Sequence, residues 1–480
     1  MKRQAVIKET LSGMRWMLLQ KCTQQPVALL YAMVLSRHVS AAEMGLLGLT
    51  AVFFTAATSL QHAGIGSVLV RRQRYSNADL NTMFWFNLGM GGLLAGGIVL
   101  AAPGVAAFFS LPELELLAQA AALIVFLSCA ASVHISFYTS RRQFRIPALV
   151  CTGSTLAGLP VCLLLAQQGW GIWAYMVQGI VGAVLTLFVF FLLCPWKPAL
   201  HFSGESLHKL GGMGCRLAST GMLDTLYIHT RAFFIGKFYS ASGLGVYKNG
   251  AQLAAMLPTI LCYMLDQVTF PVLSTLRNTP GKMRTLYRRY MRAFTLGIAW
   301  VCIFTAVFAE SLVEVVYGPG WQEAVPYLQI LSLSYATWHL QILNLNLLKA
   351  GGPKKLFLRL EIAKKLVGTV ILVAMFPISM LAICYGALAT SIINLTINTC
   401  VTARVMHLPV RAQLRDFLPQ FALAGVACLL PRVLVCYAPV PVSPCLHAGV
   451  GFCVSLILYP LLLGLFRSRA LRELRSIWGC

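Results

Sequence analysis

The sequence predicts an all-α membrane protein with about 14 transmembrane helices, arranged as two pseudo-symmetric six-helix bundles followed by two additional helices. Three observations predict this architecture: the composition, a succession of apolar spans and an internal repeat. Of the 480 residues, 58% are hydrophobic and only 11% are charged, and the mean hydropathy is +0.75, whereas a soluble domain usually carries about 25% charged residues. A chain this apolar has little aqueous surface to cover, so we expect most of it to lie in lipid.

The apolar residues group into fourteen spans, each holding roughly the 20 residues that a helix needs to cross a bilayer. Because the number of spans is even, both termini are expected on the same side of the membrane. The spans lie near 14–36, 44–69, 83–109, 116–138, 148–168, 171–194, 213–236, 246–272, 293–315, 325–348, 360–379, 381–403, 417–437 and 447–466.

The basic residues are distributed unevenly between the two sides of the predicted membrane. Of the 38 Lys and Arg residues, 32 lie in or next to the N-terminal segment, the even-numbered connections or the C-terminal tail, and four lie in or next to the odd-numbered connections. The remaining two, Lys21 and Arg231, lie within spans. This imbalance is the positive-inside pattern, which predicts that both termini are cytoplasmic. The net charge of +24 is therefore interpreted as a topology signal and a contact for anionic lipid headgroups, and not as a nucleic-acid interface.

A segment near the start of the chain recurs about 200 residues later. In Leu35–Leu47 and again in Ile235–Tyr247, a short Ser/Ala/Gly turn joins two apolar spans. A recurrence at this distance predicts a duplicated unit, and an even number of spans per unit makes the two halves parallel repeats. The predicted domains are two six-helix bundles, 1–200 and 201–410, and a segment of two additional helices with a basic tail, 411–480. The identical pairs are Ser40/Ser240, Ala41/Ala241 and Gly45/Gly245.

Polar side chains within spans one, two, seven, eight and ten form the candidate site. In span seven, Thr220, Asp224, Tyr227 and Arg231 recur at helical spacing, which places them in one stripe. Charges in hydrocarbon are unfavourable unless they face a cavity or a partner, so the pattern indicates a wet surface inside the protein. The candidate residues are Lys21, Gln24, Gln25, Asp224, Arg231, Asp266, His339 and Asn344.

These residues also have structural interpretations, which the sequence leaves open. Asp224 can pair with Lys21 or Arg231 and hold helices together. On an ideal helix Asp224 and Arg231 are about 10 Å apart along the axis, which is too far for a direct bond and favours a shared wet surface. A structural role in the core or between helices is favoured for His134, for His339 and for the Asn344/Asn346 pair.

The sequence carries no pattern typical of an enzyme or a metalloprotein. The outside connections are short, and the longest has about 16 residues around 310–325. A Gly-x-Ser-x-Gly elbow, a Walker loop and a Cys-x-x-Cys or Cys/His cluster are absent. We therefore expect no enzymatic activity, no metal and no cofactor.

Seven motifs along the chain are distinctive when taken together. They are V-L-S-R-H-V-S-A-A-E-M-G-L-L-G-L, L-V-R-R-x-x-x-S-N-A-D-L-N-T-M-F-W-F-N-L, I-G-K-F-Y-S, L-G-V-Y-K-N-G-A-Q-L, F-P-V-L-S-T-L, V-P-Y-L-Q-I-L and L-R-L-E-I-A-K-K-L-V-G. These motifs resemble those of the Wzx-type polysaccharide flippases, in the branch similar to colanic-acid and other exopolysaccharide exporters. This family lies in the MOP superfamily, which also holds the MATE exporters and the lipid II flippase. The resemblance extends to about residue 415, and the last two spans match in topology alone.

The resemblance implies a MATE-like fold with a central cavity that opens alternately to the two sides. It implies that an undecaprenyl-pyrophosphate-linked oligosaccharide moves from the cytoplasmic to the periplasmic face of the bacterial inner membrane, for exopolysaccharide, capsule or O-antigen synthesis. The implied partners are this lipid-linked oligosaccharide, the lipid bilayer, and the polysaccharide polymerase with its chain-length machinery; nucleic acid is not among them.

Roles for the candidate residues follow from combining this resemblance with the polar pattern. The substrate-binding residues are predicted to be Lys21, Gln24, Gln25, Arg231 and Asn344. Asp224 and Asp266 are predicted to couple transport to H⁺ or Na⁺, because protonation of either would change the charge of the cavity. Two alternatives stay open: a MATE-like ion-coupled exporter of small molecules, and, in a different class, a membrane-embedded polysaccharide polymerase or glycosyltransferase.

Overall fold

The computed structural model describes residues 2–63, 76–206, 230–436 and 443–465. Every regular element in these ranges is a helix, which confirms the predicted all-α class. Contacts divide the chain into two compact units, 1–248 and 249–480.

Helices α1 to α7 belong to the first unit, and α8 begins in it and continues into the second. Helix α7 is described over 230–238. The others are α1 (Lys2–Ser36), α2 (Ala41–Ala63), α3 (Asn77–Phe109), α4 (Glu113–Ser140), α5 (Arg145–Gln167), α6 (Trp173–Leu193) and α8 (Ala241–Thr275).

The described part of the second unit contains eight further helices, and a short 3₁₀ helix, Pro319–Ala324, separates the second of them from the third. These helices are α9 (Pro280–Val307), α10 (Ala309–Tyr317), α11 (Val325–Ala336), α12 (Trp338–Gly351), α13 (Lys354–Met375), α14 (Met380–Val405), α15 (Val410–Cys436) and α16 (Pro444–Leu465).

Helix α4 is central in the first unit, because it packs against α2, α3 and α6, while α5 packs between α1 and α6. Aromatic side chains fill one end of this arrangement. Phe84 of α3, Phe137 of α4 and Phe190 of α6 belong to one buried cluster, which Trp196 completes.

Helix α9 is central in the second unit, where it packs against α11, α12 and α15. Its buried Tyr287 shares a core cluster with Leu340, Leu343 and Leu347 of α12. These three leucines follow one another at three and four residues, which is the spacing that places side chains on one helical face. Helix α12 is thereby held against α9 along its length.

The outer surface of the helices is apolar, as a membrane protein requires. Leu93 and Leu100 of α3 are 74% and 84% exposed, and Leu192 of α6 is 65% exposed. An extended apolar surface of this kind is unfavourable in water. Nine helices of the described part of the chain are long and apolar enough to span a bilayer. The chain is therefore an integral membrane protein, and the count of about 14 crossings stays a prediction.

Two predicted spans are built differently from the expectation. The span expected at 293–315 is helix α9, which begins thirteen residues earlier at Pro280, followed by the short α10. Proline is favoured in the first turn of a helix. The arginines of the next turns lower the local hydropathy, so the hydropathy pattern does not indicate this extension. The span expected at 325–348 consists of two helices, α11 and α12, which meet at Thr337.

Both copies of the repeated segment start a helix in the same way. The hydroxyl of Ser40 accepts a hydrogen bond from the backbone N–H of Glu43 at 3.3 Å, and that of Ser240 accepts one from the N–H of Gly243 at 2.9 Å. Each serine is therefore the N-cap of the helix that follows. Both turns belong to the first unit, which ends at residue 248 and therefore extends beyond the predicted domain boundary at 200. The predicted domains stay a prediction.

Candidate functional site

The polar residues of span one lie in the middle of a continuous helix, α1, which runs through Pro26. One face of α1 packs on α5: the hydroxyl of Tyr31 donates a hydrogen bond to the carbonyl oxygen of Thr155 at 2.6 Å, and Val27 is buried one turn earlier. Gln25 precedes Val27 by two residues and so lies on the other side of the helix.

Lys21 and Gln25 are four residues apart and share this second side of α1. Both are half-buried, and so is Gln24. Partial exposure is what a residue needs to meet a ligand from the interior of a transporter. Their predicted role in substrate binding is compatible with this placement and stays a prediction.

The polar stripe of span seven is described only at its end. Arg231 is half-buried in the first described turn of α7. Asp224, together with Thr220 and Tyr227, lies outside the described residues. The distance between Asp224 and Arg231, on which the interpretation of the stripe depends, therefore also lies outside them.

Asp266 of α8 is held by a residue of α12. The side-chain amide of Asn346 donates hydrogen bonds to Asp266 Oδ1 at 2.8 Å and to Thr269 Oγ1 at 2.9 Å. Asn346 and Thr269 are buried, whereas Asp266 is half-buried. The carboxylate thus joins two helices on one side and is accessible on the other. The coupling role of Asp266 stays a prediction.

Asn344, two residues before Asn346, faces a different neighbour. Its Oδ1 accepts a hydrogen bond from the hydroxyl of Tyr287 in α9 at 2.9 Å, and its Nδ2 donates one to the carbonyl oxygen of Leu340 at 2.9 Å. The side chain is 1% exposed. In this conformation Asn344 joins α12 to α9 and is closed to any ligand, so its predicted contact with substrate would require the helices to move.

The two histidines that recur at an offset of 205 residues are both fully buried, which agrees with their interpretation as core residues. The Nε2 atom of His339 and the hydroxyl of Thr295 are 2.8 Å apart. The ring of His134 lies among Phe84, Phe190 and Trp196, with ring centroids 5.7–6.3 Å apart. Among the candidate residues that the structure describes, none is brought together with either histidine.

The structure also contains a charged cluster that the sequence interpretation missed. The carboxylate of Asp416 in α15 is 3% exposed and accepts hydrogen bonds from Arg288 Nε at 2.5 Å and from Arg292 Nη1 at 2.9 Å. Arg284 precedes these arginines at the same spacing of four residues. That spacing can be read from the sequence, but the three arginines enter the sequence-based prediction only as part of the positive-inside pattern.

Three comparisons relate the chain to known proteins. The profile of a family described as "Polysaccharide biosynthesis protein" matches residues 34–326. The chain is 22% identical over 329 residues to the lipopolysaccharide biosynthesis protein WzxC of Escherichia coli (strain K12), covering 68% of this chain and 66% of that protein. It is 22% identical over 319 residues to the succinoglycan biosynthesis transport protein ExoT of Rhizobium meliloti (strain 1021), covering 66% and 65%. Each match thus spans just under two thirds of the relative's length.

The fold is similar to those of solved transporters. A structure of the lipid II flippase MurJ in an inward closed conformation has a TM-score of 0.70 at 11% identity, covering 94% of this chain and 99% of that one. An inward-facing multidrug-resistance MATE family transporter of the MOP superfamily has a TM-score of 0.59 at 14% identity, covering 79% and 95%. At these identities the likeness shows the fold alone, and that fold is the MATE-like one implied by the sequence.

Proposed function

The chain belongs to the family of polysaccharide biosynthesis proteins, and from this premise we propose that it is a flippase for a lipid-linked oligosaccharide. The cargo would be an undecaprenyl-pyrophosphate-linked repeat unit, moved by alternating access from the cytoplasmic to the periplasmic face of the inner membrane. One observation carries the proposal: a member of a polysaccharide family has, over 94% of its length, the fold of a lipid flippase.

The connections between the helices support transport and argue against catalysis. The longest predicted outside connection is occupied by α10 and the 3₁₀ helix, Ala309–Tyr317 and Pro319–Ala324, which is too short to hold a catalytic domain. The two solved proteins reported above that share the fold are a flippase and a transporter. A membrane-embedded polymerase or glycosyltransferase is therefore disfavoured.

The physical problem that such a flippase solves is the transfer of a charged headgroup through hydrocarbon. The polyprenyl chain can stay in lipid, whereas the pyrophosphate and the sugars need polar surroundings. Lys21 and Arg231 would attract the pyrophosphate, and Gln24 and Gln25 would exchange hydrogen bonds with sugar hydroxyls. Asn344 would join them in a conformation in which α12 has moved from α9.

Coupling to an ion gradient is proposed for Asp266, with Asp224 as the second candidate. The carboxylate of Asp266 accepts the hydrogen bond from Asn346 that links α8 to α12. A hydrogen bond to a charged group is stronger than one to a neutral group, so protonation would weaken this link. Proton uptake could thereby favour one conformation of the helices over the other; Na⁺ binding to the same carboxylate would be the alternative source of coupling.

Deletion of the gene followed by analysis of lipid-linked sugars tests the function. We expect one oligosaccharide repeat to accumulate on the cytoplasmic face and the corresponding surface polysaccharide to be lost. The purified protein in liposomes should move this lipid-linked repeat without changing its mass. A normal surface polysaccharide combined with increased sensitivity to small cations would instead identify a multidrug exporter. The cytoplasmic position of both termini and delivery to the polymerase and chain-length machinery are further parts of the proposal.

A further inference from the structure

A basic cavity lies at the start of α9, and none of the residues assigned to transport is among the residues that line it. Its volume is about 310 Å³, and it is bounded by the first turns of α9 and by the connection between α14 and α15. None of the described residues that line it carries a carboxylate. The lining residues are Gly281, Arg284, Thr285, Arg288, Arg292, His407 and Leu408.

The positive charge around the cavity exceeds the negative charge. Arg288 and Arg292 share the carboxylate of Asp416, as described above. Arg284 adds a third guanidinium group, and its Nε atom is buried and has no hydrogen-bond partner among the described residues. A buried donor without a partner is unfavourable, and an anion in the cavity would supply the acceptor.

The backbone at this place also favours an anion. Helix α9 begins at Pro280, and no side chain caps its first turn. The N-terminus of a helix carries a partial positive charge and exposes backbone N–H groups. Gly281, in that first turn, lines the cavity and has no atom within 4 Å of the place where a Cβ would stand. A ligand can therefore approach the helix end closely.

We propose that this cavity binds a phosphate group at the membrane surface. Guanidinium groups are planar and present paired donors that match the oxygens of phosphate. Helices α9, α14 and α15 are each long and apolar enough to span the bilayer. The cavity lies where α9 and α15 begin and α14 ends, which is the level of lipid headgroups. A basic pocket between helices on the inner side is typical of anionic-lipid binding.

Two sources can supply the same phosphate chemistry: the headgroup of an anionic phospholipid, and inorganic phosphate or pyrophosphate from solution. Both can be titrated into the purified full-length protein in a neutral detergent, with native mass spectrometry reporting the bound fraction. Phosphatidylglycerol represents the anionic lipid, and phosphatidylcholine is the zwitterionic control. The variants are Arg284→Gln, Arg284→Lys, and Arg289→Gln as a matched control, because exposed Arg289 lies on the same helix outside the cavity.

We expect Arg284→Gln to weaken the binding of phosphatidylglycerol by about tenfold, since a charge-assisted hydrogen bond is lost. Arg284→Lys should retain part of the affinity, and Arg289→Gln all of it. If the binding of phosphate or pyrophosphate shows this dependence on Arg284 and the binding of the lipid does not, the site is confirmed and its ligand is the soluble ion. If Arg284→Gln has no effect on any of these ligands, or no more effect than Arg289→Gln, the proposal is wrong. The outcome is independent of the transport function.

Discussion

The carbonyl oxygen of Ala241 lies 1.8 Å from the position that a Cβ on Gly45 would occupy. The reciprocal relationship holds for the second copy of the repeat, where a Cβ on Gly245 would lie 1.9 Å from the carbonyl oxygen of Ala41. The first turns of α2 and α8 therefore approach each other backbone to backbone, and glycine is required at both positions. The two copies of the repeated segment are in contact with each other within the first unit.

Replacement of Gly45 by alanine should separate these two turns. The methyl group would collide with backbone, which cannot rotate away as a side chain can, and such overpacking typically costs about 1–3 kcal/mol. We expect a lower melting temperature for the purified protein. Gly48→Ala is the matched control on the same helix, because its nearest neighbour is a side-chain atom of Leu244 at 3.3 Å and not backbone. Equal melting temperatures for the Gly45→Ala and Gly48→Ala variants would show that the two turns do not pack as described.

Removal of the carboxylate of Asp416 should destabilise the second unit. Arg288 and Arg292 would lose a shared partner that is 3% exposed, and loss of one member of a buried ion pair costs about 3–5 kcal/mol. We therefore expect Asp416→Asn to melt well below the wild type, and phosphatidylglycerol to restore part of the difference if the basic cavity binds it.

The control for Asp416 is Glu310→Gln. Glu310 forms an ion pair with Arg432, but its side chain is 56% exposed, and exposed pairs contribute only about 0–1 kcal/mol. A loss of stability that is the same in both variants would contradict the assignment of Asp416 as the buried anchor of the two arginines.

The sequence predicted the all-α class of the fold, because hydropathy along the chain depends mainly on local residues. It could not predict partners across helices. Asn346 bonds Asp266 eighty residues away, and nothing local indicates that α12 adjoins α8. A polar residue in the middle of a span has the same sequence pattern whether it faces a cavity or another helix. This is why Asn344 was predicted as a substrate contact although it is enclosed beside Tyr287.

The topology predicts which exposed positions can be labelled from each side. Cysteines introduced at Ser242 and Gln322 should react with an impermeant thiol reagent added outside the inner membrane. Cysteines at Ser76 and Thr279 should react only after the membrane is made permeable. All four positions are exposed in the structure, so a lack of reaction reflects the side of the membrane and not burial. The reverse result, in which the cysteine at Ser242 reacts only after the membrane is made permeable and the one at Thr279 reacts from outside, would contradict the positive-inside assignment.

Replacement of Asp266 should separate a coupling role from a structural one. Asp266→Asn keeps an oxygen that can accept the hydrogen bond from Asn346, but the new side chain is not an acid. Asp266→Glu keeps an acid. If the acid couples transport to protons, Asp266→Asn should retain its abundance in the membrane and lose the response of transport to a pH gradient, and Asp266→Glu should retain part of it. An unchanged response in Asp266→Asn would assign the coupling to another residue.

Arg231 tests whether the polar residues of span seven bind substrate or hold helices together. If Arg231 faces a cavity and attracts the pyrophosphate, Arg231→Ala should abolish transport and leave the abundance of the protein in the membrane unchanged. Lys237→Ala is the matched control on the same helix, where Lys237 lies over the ring of Phe108. We expect this control to transport normally.

A structural role for Arg231 leads to the opposite result. Loss of one member of a buried pair leaves an uncompensated charge at a cost of about 3–5 kcal/mol, so Arg231→Ala would deplete the protein. Replacing both members, as Asp224→Asn with Arg231→Gln, would then restore abundance because no unpaired charge is left. Restored abundance without transport would mean that the pair also serves the substrate. Restoration of both would show that the pair only braces the bundle, and the pyrophosphate would have to be held by Lys21 without Arg231.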